Sequence, residues 1–508
     1  MVNLYFKKKK PRDNYHKGEL TMLAILLLIE IITILVSGIS IFFIIEQMKR
    51  KKIIFWIISS SLIINTFSLF IALFMNLQFH EFYLIIDGNV LLIVEFILLG
   101  GMFYAIISKN NDKKSINIPI HDGISLLILA GIIGIVSSSH LLILISWFAF
   151  VLILLGVNLF YGEITIDFRN CIPYFLSIGI SLVALYVFSI IIFLDTGTIY
   201  IIDIISIGVS SELNFICIIL ITIGFGIPCG IFPLGVFHLK KVFQDGSYYN
   251  LLFYFMINYS IIFSLFRSFQ FFEFLPLGYG SIVTIISILG IITFFYILLK
   301  ELFFSLEEQS FSLKRIMGYS ITGDFNNILM LLSISLFIPA HIREKYLNGL
   351  FLIFSLFILV KMLILITLHP IILTYEDDSG KEKDRRYSKL LKYLLYITGA
   401  IVAFPLSYYS FWILNEVLNV SEVQSNSAFT FLIVFIIVLH LLYNTISLIT
   451  ISTINLESYN NKIIKTEKKE SDLSEISFEN KIVIYFTLIL CLLVNYLFFL
   501  NIFSYVLL

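Results

Sequence analysis

Apolar runs of about 20 residues follow one another along the whole chain, each long enough to cross a bilayer core of about 30 Å. That leaves few folds open. Hydrocarbon offers no partner to backbone N–H and C=O groups, so each run must pair its own backbone as a helix. The expected fold class is an all-α polytopic membrane protein with about 14 transmembrane helices. Composition agrees: of 508 residues, 59% are apolar and 13% charged. Lys plus Arg and Asp plus Glu balance at 34 each, so the chain has no electrostatic footprint for nucleic acid.

The spans are read at roughly 20–46, 53–77, 88–108, 122–138, 141–160, 171–194, 214–238, 250–271, 279–304, 316–338, 347–374, 388–414, 428–453 and 482–507. The spans at 122–138 and 141–160 meet at Ser137-Ser138-Ser139-His140, where a single kinked segment is the alternative. The basic start, Lys7 to Lys10 and Arg12, precedes an apolar run too long for a signal peptide and is read as leading into the first span. Connections after odd-numbered spans hold 24 of the 34 lysines and arginines. That bias places those connections in the cytoplasm and both termini outside.

The four cysteines, Cys171, Cys217, Cys229 and Cys491, lie in or beside apolar runs without metal-type spacing and read as small packing residues. No stretch resembles a phosphate-cradling loop, a nucleophile elbow or a metal cluster. No cofactor is therefore expected in this chain, and an ATP-driven pump is disfavoured.

Two spans are interrupted. The first break runs Gly224-Phe225-Gly226-Ile227-Pro228-Cys229-Gly230-Ile231-Phe232-Pro233 in span seven. The second is Gly399 to Ser407 around Pro405, in span twelve. An interior proline costs a helix about 3 kcal/mol and a glycine about 1. At membrane depth such a break must be buried in protein or line a wet cavity. The breaks are five spans apart. If spans four to eight and nine to thirteen are units, each carries its break in its fourth helix, and an odd span count makes the units opposite in topology. That is the pattern of an inverted repeat, whose breaks mark the functional region. The expected organisation is 1–121 as a three-helix segment, 122–271 and 272–456 as five-helix repeats, and 457–508 as a charged connection with a last helix. The reading from position alone leaves a packing kink equally open.

The stretch Ser312-Leu313-Lys314-Arg315-Ile316-Met317-Gly318-Tyr319-Ser320 resembles the start of the tenth helix in antiporter-like membrane subunits. These occur in respiratory complex I, Mrp-type cation/proton antiporters and energy-converting hydrogenases. Phe232-Pro233-Leu234, then Phe237-His238-Leu239 and Gln244-Asp245, is similar to the segment after that family's broken seventh helix. Gly399 to Ser407 is similar to its broken twelfth helix. The resemblance spans about 120–450 and implies a fourteen-helix core, inverted five-helix repeats and an external N-terminus.

It also implies a central row of buried charges, and there the chain departs. Phe148 stands where the family has a glutamate, and Pro228 to Ile231 holds no lysine. Asn258 and Trp412 stand near two further charged positions. A Glu–Lys pair lets a proton be held and repelled through opposing pKa shifts, which phenylalanine and tryptophan cannot do.

The polar groups left inside are few. Lys361, central in its span, reads as a relay lysine or as a partner for a neighbouring subunit's helix. Glu30 and Glu95 read as interhelical or intersubunit pairing groups before proton carriers. His238, His140 and His440 titrate near neutral pH and suit the ends of a pathway, although a structural role fits each. Asn258 can order a water. Together these are the candidate ion-pathway residues.

The function implied is a membrane subunit of a proton- or sodium-translocating oxidoreductase complex or an Mrp-type antiporter, with pumping lost or altered. Its partners would be other membrane subunits, H⁺ or Na⁺, and the lipid bilayer of a prokaryotic cell or of a mitochondrial inner membrane. A non-pumping structural subunit, or a stand-alone secondary transporter or flippase, is the alternative.

Overall fold

The computed structural model of the protein describes residues 15–44, 46–75, 79–81, 84–108, 118–161, 168–230 and 248–272, with isolated positions between 292 and 351. The chain divides into two compact units, and every element below belongs to the larger, built from Val2–Lys300 and Ile321–Leu347. Lys361, His238, His440, Pro233, Pro405, Lys314, Arg315, Tyr319 and Ser320 lie outside the described residues.

The helices are α1 (Tyr15–Ile41), α2 (Gln47–Met75), α3 (Gly88–Ser108), α4 (Ile118–Ser137), α5 (Leu141–Tyr161), α6 (Phe168–Thr196), α7 (Ile201–Ile207), α8 (Ser211–Gly226) and α9 (Tyr248–Phe269). Seven of them are long and apolar enough to cross a membrane: α1 to α6 and α9. This is the architecture of an integral membrane protein. The fourth and fifth spans are two separate helices joined at Ser138-Ser139-His140.

The centre of this unit is α4, which packs against α1, α3, α5 and α9. Small residues let the backbones approach, as is usual between membrane helices. A Cβ on Gly38 of α1 would stand 3.2 Å from the carbonyl of Gly123 on α4. One on Gly134 would stand 2.6 Å from the Trp147 ring of α5. The spanning part of α9 is wholly buried. By contrast α1, α2 and α6 turn apolar side chains outward, among them Ile32, Trp56, Phe67, Leu176 and Val183. Such faces suit lipid or a neighbouring membrane helix.

Short extended segments tie the helix ends on the face where α1 begins. Strands β1 (Phe79–Glu81) and β2 (Leu84–Ile86) pair antiparallel between α2 and α3. Single bridges link Leu84 to Ser138, His140 to Tyr200 and Val209 to Phe272. Periodicity does not announce this layer or the short helix α7, because three-residue pairings leave no hydrophobic pattern.

Span seven also differs from its sequence reading of 214–238. Its helix stops at Gly226, and Ile227 to Gly230 form a turn. Gly230 adopts φ +94°, a backbone region open to glycine.

Candidate functional site

The break in α8 begins with a missing donor. Pro228 has no N–H, so it cannot bond the carbonyl of Gly224 four residues earlier. The hydroxyl of Ser181 on α6 donates to that carbonyl instead. Gly224 makes this possible: a Cβ there would stand 2.5 Å from the Leu185 side chain of α6. A neighbouring helix thus satisfies the freed carbonyl, as hydrocarbon requires. The turn closes with Gly230 donating to Ile227 at 3.0 Å.

The groups around the turn are polar or aromatic and uncharged. Phe148 of α5 meets Phe225 of α8 edge to face, with ring centroids 5.6 Å apart. Both rings are buried. On α9, Tyr254 contacts Thr322 at 3.4 Å and lies near Cys229 of the turn and Tyr174 of α6. The Tyr174 hydroxyl donates to Leu152 at 2.9 Å. One helical turn beyond Tyr254, Asn258 is 1% exposed, and its amide sits by the Tyr254 hydroxyl without closing a hydrogen bond. Hydroxyl, thiol and amide groups can hold water in this place. At neutral pH none of them exchanges a charge. Among the described residues no three His, Cys, Asp or Glu side chains converge as a metal site would need.

His140 lies elsewhere, at the face where α4 ends and α5 starts. Its ring stacks edge to face on Tyr200 at 5.2 Å. The backbone on either side is pinned: Leu141 donates to Ile199 at 3.0 Å, and Ile201 to Ser139 at 2.9 Å. Burial lowers the His140 pKa from its ordinary value of 6.5. Glu30 and Glu95 sit on α1 and α3, apart from the turn. The structure therefore places Asn258 beside Tyr254, which lies near Cys229 of the turn, and shows no contact of His140, Glu30 or Glu95 with them among the described residues.

Three polar arrangements go beyond what the sequence reading identifies. Arg50 and Asp122 form a buried ion pair at 3.6 Å between α2 and α4, and Tyr104 donates to Asp122 at 3.0 Å. In sequence Arg50 is only one of four basic residues in a connection. Its neighbour Lys49, by contrast, is exposed and pairs with Glu46. Arg267 of α9 donates to the carbonyls of Val136 at 2.7 Å and Ser138 at 3.2 Å, closing the C-terminus of α4. Its guanidinium also lies over the Phe263 ring at 4.4 Å. An arginine inside an apolar run is a visible signal for this one. The third is His121 Nδ1 against Asn158 Oδ1, which join α4 to α5.

No protein-family model matches the sequence, and no curated protein matches it. Solved structures do match in fold. A chain of the membrane-bound sulfane sulfur reductase, an archaeal respiratory membrane complex, aligns with TM-score 0.66 at 15% identity over 94% of both chains. A chain of respiratory complex I from Thermus thermophilus aligns with TM-score 0.64 at 13% identity, covering 92% of this chain and 95% of that one. A chain of the Mrp complex from Dietzia sp. DQ12-45-1b aligns with TM-score 0.60 at 12% identity, covering 85% and 80%. The chain has the fold of membrane subunits in these assemblies.

Proposed function

We propose that the chain is a membrane subunit of an ion-translocating complex of the respiratory or Mrp-antiporter kind, and that it depends on partner subunits for its driving force. One observation carries this reading: the fold likeness to a respiratory membrane complex runs end to end, over 94% of each chain. The Lys314-Arg315…Gly318-Tyr319-Ser320 motif supports it from the sequence. The finer features belong to the same proposal: about 14 helices, opposed five-helix repeats over 122–271 and 272–456, and both termini on the external side. The ion would be H⁺ or Na⁺, with Lys361 as the in-span charge expected to respond to it.

A specific observation favours a second form, a subunit that holds its complex together without pumping. The Phe148–Phe225 ring pair fills the place where a titratable group would serve translocation.

Affinity purification of the tagged chain from its native membrane, followed by mass spectrometry, tests the first claim. Several membrane subunits, with or without a redox subunit, are expected to co-purify. A chain that purifies alone overturns the reading in favour of a stand-alone transporter. In proteoliposomes of the purified complex, Lys361→Met is expected to abolish ion uptake. Unchanged uptake removes Lys361 from the mechanism, and no uptake by the wild type favours the structural form.

A further inference from the structure

We propose that Glu95 and Glu30, together with Asn65 and Thr66, form a proton-binding site in the outer three-helix layer. It is built on α1, α2 and α3 rather than on the helices around the break.

Asn65, Thr66 and Glu95 meet at one depth, and Glu30 stands on α1, which packs against α2. Glu30 lies about seven residues inside the span that starts at Leu23, and Glu95 about seven inside the one that starts at Gly88. Thr66 lies about six residues before the end of its span at Ala72. Helices α1 and α3 start, and α2 ends, on one face of the layer. At 1.5 Å per residue Asn65, Thr66 and Glu95 are roughly 10 Å below that face.

The hydrogen bonds around Glu95 leave room for a proton on it. Asn65 Nδ2 donates to Glu95 Oε2 at 2.6 Å and to the Leu91 carbonyl at 3.0 Å. Thr66 Oγ1 lies 2.7 Å from the Leu62 carbonyl and 2.5 Å from Glu95 Oε1. A hydroxyl has one proton. A threonine inside a helix ordinarily donates it to the carbonyl four residues back, which is Leu62. The proton in the second contact then belongs to Glu95, whose carboxyl donates to Thr66 Oγ1. An O···O distance of 2.5 Å fits such a bond.

Glu30 is the independent observation. Its side chain is 4% exposed and its Oε1 is enclosed without a hydrogen-bond partner. A carboxylate enclosed without a partner is costly in hydrocarbon, which keeps Glu30 neutral. The other charged and titratable groups of the packed elements are engaged or sit at helix ends. On α4, Asp122 pairs with Arg50 of α2, and His121 meets Asn158. On α9, Arg267 binds the end of α4. Asp87 precedes α3 and caps Val90, while Lys49 to Lys52 lie at the other end of α2, and His80 and Glu81 are on β1.

The step is an acid dissociation: Glu95–COOH gives Glu95–COO⁻ and H⁺, with Glu30 staying neutral. Thr66 is exposed on the outward face of α2, so the site is open on the side that lipid or a neighbouring helix would cover. Asn65 points an N–H at the carboxyl rather than its carbonyl, which suits a proton better than Na⁺.

Infrared difference spectroscopy of the full-length chain in detergent tests the site, because a protonated carboxyl absorbs apart from a carboxylate. Protonated-carboxyl absorption from both glutamates is expected at neutral pH; the component that titrates is lost in Glu95→Gln and shifted but kept in Thr66→Val, while the Glu30 component remains in both. Glu30→Gln should change the pH at which the remaining band titrates. A band absent from the wild type, or unmoved by all three substitutions, overturns the proposal. Loss of the band on adding NaCl, but not choline chloride, assigns the site to Na⁺ and overturns it as well. If Glu95→Gln does not fold, the Thr66→Val shift decides. The readout is the carboxyl itself, so it stands or falls separately from ion translocation.

Discussion

The outer layer of α1 to α3 and the inner helices α5, α8 and α9 handle polarity in opposite ways. The outer layer carries ionisable groups: Glu95 within its span beside Asn65 and Thr66, Arg50 at the start of α2 beside Asp122 of α4, and Glu30 with one oxygen enclosed without a hydrogen bond. Around the break the inner helices hold rings, hydroxyls and an amide, and their buried Arg267 lies near the C-terminal end of α9, on the carbonyls that end α4. Phe148 faces Phe225, and Ser181 answers the carbonyl that Pro228 frees. The difference teaches that a broken helix needs a hydrogen-bond donor and does not need a charge. In this chain the backbone requirement and the titratable requirement are met in different places.

That contrast can be broken most severely at the inner side. Phe148→Glu puts an unpaired carboxylate among Phe225 and its buried neighbours. It is expected to cost several kcal/mol, a large part of the stability of a membrane domain this size. Thermal unfolding in detergent checks it. A Phe148→Glu variant as stable as the wild type would mean that the break lines a wet cavity, and the contrast would fail.

On the outer side, Arg50→Met removes the ion-pair partner of the buried Asp122. Breaking a buried pair from one side costs about 3–5 kcal/mol. The double change Arg50→Met with Asp122→Leu should recover most of that loss, because both charges go together. Equal losses in the single and double variants would show that the pair does not act as a pair.

The smallest effect is expected at His140, between the two regions. Burial lowers its pKa in the folded chain, so the unfolded chain takes up the proton first as pH falls through 6.5. Its contribution is complete above that value and fades below it, toward the depressed folded pKa. Unfolding midpoints measured between about pH 5 and 8 should show a slope that His140→Gln flattens. An unchanged slope would assign the pH dependence to other groups.

Much of this architecture is legible in the residues. Each span from α1 to α6 announces itself by its apolar run, because the bilayer makes crossing a local property of about 20 residues. Pro228 and Gly230 mark the end of α8 for a similar local reason, the missing N–H and the positive φ. The three-residue strands and α7 are not legible, since such short pieces leave no period to read. Arg50 escapes for a physical reason: in a run of four cations, nothing local says which one turns inward to an aspartate on another helix.

What the sequence determined by itself is therefore the membrane-spanning helical class, the place where α8 breaks, and the absence of a glutamate at position 148 and of a lysine between Pro228 and Ile231. What only the tertiary structure decided is which polar groups meet. Ser181 reaches Gly224 across 43 positions, and Arg267 reaches Val136 across 131. Glu95 finds Thr66 across 29. Crossing a membrane depends on consecutive residues, whereas satisfying a buried polar group depends on whichever helix packs alongside.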